Sequence, residues 1–217
     1  MITVVGSEKG GVGKTTLATN IATVIAAEPS VGSVLLVSCD KQGSAVGWAT
    51  IRYSCGVEPN IEWLSKLGAD VGSALISLRD DFDHIVVDCA GEDSTELRQA
   101  MMVADRMLLP LLPSSFDIWT LGTLAEHVKS ARAKGNAKLT PLMVINKAST
   151  NASLESEVTE TRDLLASFDG VLRLANTVVH DRVVFRRAVR SGHGVIEVSG
   201  SRKAADEVRA LCEELYA

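Results

Sequence analysis

Short apolar runs alternate along this chain with longer segments whose apolar residues recur at helical spacing. Ile2-Thr3-Val4-Val5-Gly6, Val34-Leu35-Leu36-Val37-Ser38, Phe82 to Asp88, Arg106 to Pro113, Pro141 to Asn146 and Asn176-Thr177-Val178-Val179 read as strands. Near-continuous apolarity over a strand's length, bounded by Gly, Pro or acids, marks strands covered on both faces. Between them, Leu17 to Ala27, Val71 to Asp80, Ser94 to Ala104 and Ala152 to Phe168 read as helices. Ser114-Ser115 caps another, which runs to about Lys134 and stops at Gly135. Trp48 to Cys55 continues a short helix, and Val57 to Trp63 is an extended segment or short strand. In the last helix, Ala204, Val208, Leu211, Cys212 and Leu215 fall on one face. This alternation predicts an α/β fold: a largely parallel sheet with helices on both faces, in one domain spanning residues 1–217.

The first strand and helix are joined by Glu8-Lys9-Gly10-Gly11-Val12-Gly13-Lys14-Thr15-Thr16. Strand, glycine-rich turn and helix is the context of a phosphate-binding loop. Gly10, Gly11 and Gly13 let the backbone amides of Gly10 to Thr16 turn inward around phosphate oxygens, and the helix N-terminus adds partial positive charge. Lys14 is placed to reach the β- and γ-phosphates, and the Thr15 hydroxyl to ligate Mg²⁺. The usual G-x-x-x-x-G-K-[ST] pattern fails at Glu8, and Lys9 adds a second lysine. Because Lys14 already serves the bound nucleotide, Lys9 on the loop's outer side can serve a phosphate across an interface. The alternative is a glycine-rich turn with two solvated lysines.

Two carboxylates end strands on the same side of such a sheet, the edge where open α/β folds bind ligands. Asp40 follows the second strand and can orient water or hold the metal's water shell; it can also cap the helix that follows. Asp88 ends the third clear strand, in position to sit near Mg²⁺ directly or through water. Asn146-Lys147-Ala148-Ser149 tests the choice of base, because a guanine reader needs an acid where Ser149 stands. GTP is therefore disfavoured. His84 alternates with apolar neighbours and reads as a satisfied structural histidine, and Cys89 as a small core residue.

Composition narrows the class further. With 217 residues, 46% apolar and 23% charged, the chain is long enough for a sizeable core. Four scattered cysteines without a C-x-x-C pair argue against a zinc site or a disulfide framework and suit a reducing cytoplasm. The start of the chain lacks a basic n-region, and no apolar run approaches membrane-spanning length. Net charge is −5, so nucleic acid must be met by a local patch. Such a patch exists. As a helix, His180 to Arg190 sets Arg182, Arg186 and Arg190 on one face with Arg187 beside it. Arg173, Arg202 and Lys203 lie nearby in sequence, against only Asp181 and Glu197. This reads as a footprint for DNA phosphates, sequence-independent and salt-sensitive. The alternative is a solvated face or ion pairs with acidic helices. The tail, rich in Glu207, Glu213 and Glu214, argues against membrane binding.

Lys9 to Thr15 resembles the deviant Walker A motif, KGGxGK[ST], of the ParA/MinD family of ATPases. Asp40-x-Gln42-Gly43-Ser44-Ala45 resembles the family's switch I, with Ser38 at its first aspartate position and Lys41 replacing its proline. Asp88-Cys89-Ala90-Gly91 resembles its switch II, where Gly91 would place an amide near the γ-phosphate. Pro113-Ser114 followed by Phe116-Asp117 resembles the start of the helix that lies along the family's dimer seam. Gly192 to Glu197 resembles the family's late glycine-plus-apolar turn before the final helix.

The resemblance implies an ATP- and Mg²⁺-dependent homodimer with Lys9 reaching the partner's nucleotide, and Asn146 touching adenine. It implies nonspecific DNA binding and slow ATP hydrolysis stimulated by a ParB/ParG-like centromere-binding or cargo adaptor protein. It places the chain in a bacterial cytoplasm, associated with the nucleoid. The likeness is nearest to the small ParA-like (ParF-like) partition ATPases, which implies segregation of plasmid or chromosomal DNA. A cargo-positioning or conjugation-related relative with a non-plasmid client is the alternative. The cysteine placement does not resemble that of the electron-transfer relatives.

Overall fold

The computed structural model describes residues 1–91, 94–113, 118–151, 155–168 and 170–217. The element order is β1 (Ile2–Val5), α1 (Lys14–Ala26), β2 (Val34–Cys39), α2 (Ser44–Ser54), β3 (Glu62–Ser65), α3 (Val71–Leu78), β4 (His84–Cys89) and α4 (Thr95–Met101). Then follow β5 (Arg106–Leu111), α5 (Ile118–Ala133), β6 (Thr140–Ala148), α6 (Glu155–Leu165), β7 (Arg173–His180), α7 (Val183–Val189) and α8 (Arg202–Tyr216). Among the described residues seven strands form one sheet in the order β3-β2-β4-β1-β5-β6-β7. Every pairing is parallel. The α/β class expected from the apolar pattern is the fold observed.

Period-two alternation divides the strands between two cores. Val4, Val37, Val87, Leu109 and Ile145 face the side covered by α3, α4 and α5. Val5, Leu36, Val86, Leu108 and Val144 face the side covered by α1, α2 and α8. Burial on both faces is why these strands are almost continuously apolar.

The order of the sheet positions the site. β1 lies between β4 and β5, with Val5 opposite Asp88. β2 lies on the other side of β4, with Ser38 opposite Asp88 and Cys39 opposite Cys89. The loops after β1, β2 and β4 therefore converge on one edge of the sheet. Ligands bind at that carboxyl edge in open α/β folds.

Several elements differ from expectation. Of the segment expected from Val57 to Trp63, only Glu62 and Trp63 enter the edge strand β3, which runs on to Ser65. α7 is shorter than the expected run, so Arg182 precedes the helix and Arg190 follows it. The caps at Ser114-Ser115 and the seam motif through Phe116-Asp117 lie outside the described residues, as does the start of the helix expected from Ala152. His84 Nδ1 has no hydrogen-bond partner among the described residues, and the ring packs edge-on against Tyr216 at 5.9 Å. Burial lowers its pKa, which keeps the ring neutral against the aromatic edge.

The acids of the tail have a structural use. Glu207 accepts from the His180 and Arg182 side chains, and Glu214 accepts from the amides of Asn176 and Thr177. They hold α8 against β7. No helix among the described residues is long and apolar enough to cross a membrane.

Candidate nucleotide-binding site

The loop after β1 wraps the start of α1. Gly13, the residue before the helix, has a left-handed backbone (φ 95°). A Cβ there would collide with Asn146 Nδ2, so both conformation and space demand glycine. No acid lies in the first turn of α1, leaving its exposed amides and dipole for an external anion.

A cavity of about 430 Å³ opens over this turn. Gly10, Gly11, Gly13, Lys14, Thr15 and Thr16 form its floor, and Asp40, Gln42, Ser44, Ala90, Gly91 and Lys147 its walls. The structure thus gathers the sequence-predicted loop, Asp40 and the segment after Asp88. Val12 is buried beneath the loop instead of lining it. Lys9 is not among the lining residues; its carbonyl accepts Lys14 Nζ at 2.7 Å.

Lys14 is 7% exposed. Burial lowers its pKa, while the charges of Asp88 and Asp40 oppose that shift. Gly91 closes against it: a Cβ at position 91 would lie 2.8 Å from both Gly10 Cα and Lys14 Nζ.

Asp88 is fully buried, and burial raises its carboxyl pKa to about 7 against the lowering effect of the Thr15 hydrogen bond. Thr15 Oγ1 donates to Asp88 Oδ2 at 2.8 Å. Asp88 Oδ1 has no hydrogen-bond partner among the described residues. An orphaned buried carboxylate oxygen beside a hydroxyl, at the rim of a phosphate-shaped cavity, fits a hard cation such as Mg²⁺. Thr15 and Asp88 would hold the ion or its waters, with Asp40 across the cavity. No cluster of three or more His, Cys, Asp or Glu occurs among the described residues, so the remaining ligands would be water and the nucleotide's own phosphates. Ser38 opposite Asp88 also makes sense here: a second carboxylate at that place would raise the pKa of both.

Thr15→Val should therefore weaken Mg²⁺-dependent nucleotide binding by at least about tenfold, while Thr15→Ser keeps it. Titrating Mg²⁺ at fixed ATP measures this. Equal Mg²⁺ dependence in Thr15→Val and the parent chain would remove Thr15 from the metal's shell.

Asp40 does not cap α2. The residue before that helix is Gly43, in the left-handed region without a side-chain cap. Asp40 Oδ1 accepts from the Gln42 amide at 2.8 Å, closing its own turn and holding the carboxylate at the cavity wall.

A second cavity of about 300 Å³ adjoins the first through Thr16 and Lys147. Its lining includes Asn146, His180, Asp181, Phe185 and Arg186, and its size and aromatic wall suit a nucleoside. Asn146 is buried, and its Nδ2 is already committed to Val12 O at 2.7 Å, which makes it a brace for the loop as well as a lining residue. Lys147 was not singled out by sequence reasoning. Its signal was present in the Asn146-Lys147 pair that ends the strand.

The arginines do not form one face. Arg182 is bound to Glu207 at 2.5 Å. Arg186 pairs with Asp181 at 3.3 Å and lines the nucleoside cavity. Arg187 lines another groove of about 520 Å³ together with Arg182, Arg202 and Lys203, and Arg190 is exposed at the end of α7.

Comparison with known proteins agrees with this geometry. The model of the CobQ/CobB/MinD/ParA nucleotide binding domain matches residues 3–195. The "Maintenance of carboxysome distribution protein A" of Halothiobacillus neapolitanus is 31% identical over 213 residues, covering 97% of this chain and 94% of that protein. Its namesake in Gloeobacter kilaueensis is 30% identical over 216 residues, covering 95% of this chain and 90% of that protein. The apo McdA structure from Cyanothece superposes with a TM-score of 0.80 at 16% identity, covering 100% of this chain and 99% of that one. These relatives support the ParA/MinD family of the expectation, and their names concern carboxysome distribution, not plasmid partition specifically. The chain belongs to the CobQ/CobB/MinD/ParA nucleotide-binding family and is an ATPase of the ParA/MinD kind.

Proposed function

We propose that this chain is an ATP-switched positioning protein whose client is a large cargo of the carboxysome kind. The observation that carries the reading is the match, over nearly the whole length of both chains, to two carboxysome distribution proteins. It favours the cargo-positioning alternative over segregation of plasmid or chromosomal DNA.

In this reading ATP enters with its phosphates in the loop cavity and its nucleoside in the adjoining one. Mg²⁺ supplies Lewis-acid neutralisation of the phosphates. Gly10 to Thr16 orient the phosphates, Lys14 balances their charge and Asp40 orients the attacking water. Lys9, outside the cavity lining, is left to reach a second protomer's nucleotide in a face-to-face homodimer. Arg187, Arg190, Arg202 and Lys203 offer an exposed surface for nonspecific DNA, with Arg202 also 3.9 Å from Asp206, while Arg182 and Arg186 are paired with Glu207 and Asp181. An adaptor protein on the cargo would stimulate hydrolysis and release the DNA-bound dimer in the nucleoid.

The test combines mass by light scattering with binding to random-sequence duplex DNA, at two salt concentrations, with ATP·Mg²⁺ or ADP·Mg²⁺. ATP should produce a dimer that binds DNA and loses affinity steeply with salt. Lys9→Ala should retain ATP but stay monomeric, and Arg187→Glu should dimerise yet bind DNA at least about tenfold more weakly. Dimerisation without DNA binding would leave a nucleotide switch acting on a protein client. Lys9→Ala dimerising like the parent chain would sink the role given to that lysine.

A further inference from the structure

We propose that Lys147 is a positioning residue that holds the phosphate loop ready for its anion, and that the end of β6 accepts an unfavourable backbone to place it there. The inference rests on the nucleotide-site reading and assigns it a residue outside the loop motif.

Lys147 has φ 56° and is the single non-glycine residue with positive φ among the described residues. The left-handed region crowds a Cβ against its own carbonyl, so lysine is a poor choice there on backbone grounds. Its side chain gives the reason. Lys147 Nζ donates to Gly11 O at 2.7 Å across 136 positions of sequence. The preceding residue does the same one step along: Asn146 Nδ2 donates to Val12 O at 2.7 Å. Two successive residues of β6 thus take two successive carbonyls of the loop.

The consequence follows from the peptide unit. It is planar and trans, so its C=O and N–H point in opposite directions. Holding the Gly11 and Val12 carbonyls toward β6 turns the Val12 and Gly13 amides the other way. Those amides are among the donors a phosphate needs, and a carbonyl swung inward would repel it. Lys14 braces a third carbonyl, that of Lys9, but it must let go to meet a phosphate. The two braces from β6 need not. Lys147 is also one of two residues, with Thr16, that line both cavities, so its stem and charge lie where nucleoside and phosphates join. Asp181, His180 and Arg186 are the titratable or charged neighbours in the nucleoside cavity, and Asp40 and Lys14 those in the phosphate cavity.

Three variants test this by calorimetric titration with ADP·Mg²⁺ and ATP·Mg²⁺, steady-state kinetics and thermal unfolding without nucleotide. Lys147→Met and Lys147→Gly should each weaken both nucleotides by about tenfold, raise KM for ATP and leave kcat within about twofold. Lys147→Arg should recover most of the affinity. Lys147→Gly should unfold no earlier than the parent chain, because glycine adopts the left-handed backbone without strain. Binding that is intact in Lys147→Met but lost in Lys14→Ala overturns the proposal and leaves the nucleotide site standing. Binding indifferent to both substitutions overturns the site with it. Losses in the Met and Gly variants that track a lower melting temperature in both would make Lys147 a general support of the fold, which also overturns the proposal.

Discussion

Lys14→Ala is expected to weaken ATP·Mg²⁺ binding by at least about 100-fold, equivalent to about 2.7 kcal/mol. The ammonium is 7% exposed and faces a cavity whose lining includes the phosphate loop and one carboxylate, Asp40, with the Asp88 carboxyl buried behind it. Charge-assisted bonds to phosphate in such a partly dry site are worth more than the same contacts in water. Removing the lysine takes away the cation that offsets Asp40 and Asp88 beside the phosphates. Lys14→Arg should fail as well, since the backbones of Gly10 and Gly91 close around Nζ and leave no room for a guanidinium. The variants should remain folded, because in the absence of nucleotide Lys14 contributes one hydrogen bond to a loop carbonyl. Isothermal titration reads the effect directly. Unchanged affinity in Lys14→Ala would refute the phosphate-loop assignment.

Arg52→Met should destabilise the chain by roughly 3–5 kcal/mol. For a chain of this length that is a fall in Tm of about 10 °C. Arg52 is 2% exposed and lies far from the cavity lining in sequence and role. Its guanidinium meets Glu197 through two parallel bonds of 2.8 and 2.9 Å. It also donates to Pro59 O at 2.7 Å and Gly192 O at 3.0 Å, and lies 5.5 Å from the Trp48 ring centre. Glu197 Oε2 accepts in addition from the Gly194 amide. The group thus ties α2, which follows the Asp40 turn, to the segment that precedes α8. Removing one partner buries an uncompensated carboxylate, which is the costly case. Removing both costs less: Arg52→Met with Glu197→Leu should recover part of the loss, the remainder being the Pro59 and Gly192 carbonyls and the Gly194 amide left without their partners. Chemical denaturation of the two single variants and the double variant measures the coupling. A single-variant cost below about 1 kcal/mol would mean that water reaches the pair after all.

The comparison of these two sites explains what was legible beforehand. The loop from Lys9 to Thr16 is local. Its strand, glycines, lysine and hydroxyl are neighbours in sequence, and their chemistry depends on a turn those residues dictate themselves. The apolar runs of β1, β2, β4, β5 and β6 were readable for a similar reason, since burial on both faces leaves a continuous signal. Asp40 and Asp88 were found because each ends such a run, and parallel strands deliver their ends to one edge.

The arginine segment misled because spacing alone cannot say where a helix starts. Arg182 satisfies Glu207 on α8, so α7 begins after it, and the repeat of four breaks into separate environments. The acids of the tail were legible as charge but not as the clamps that hold α8 to β7. Glu197, counted as one of the few acids near the basic cluster, is instead half-buried and paired with Arg52.

By itself, then, the sequence determined the α/β class, the phosphate loop and the two strand-end carboxylates, because each is written in contiguous residues or in apolar runs that alternate with helical spacing. Only the tertiary structure decided that Lys147 braces Gly11, that a buried Asp88 oxygen has no partner among the described residues, and that Arg52 and Glu197 form a close pair. Those contacts join residues 136 and 145 positions apart. Chain connectivity carries no record of such pairs; sheet order and helix packing bring them together, and the energy of each depends on the burial that results.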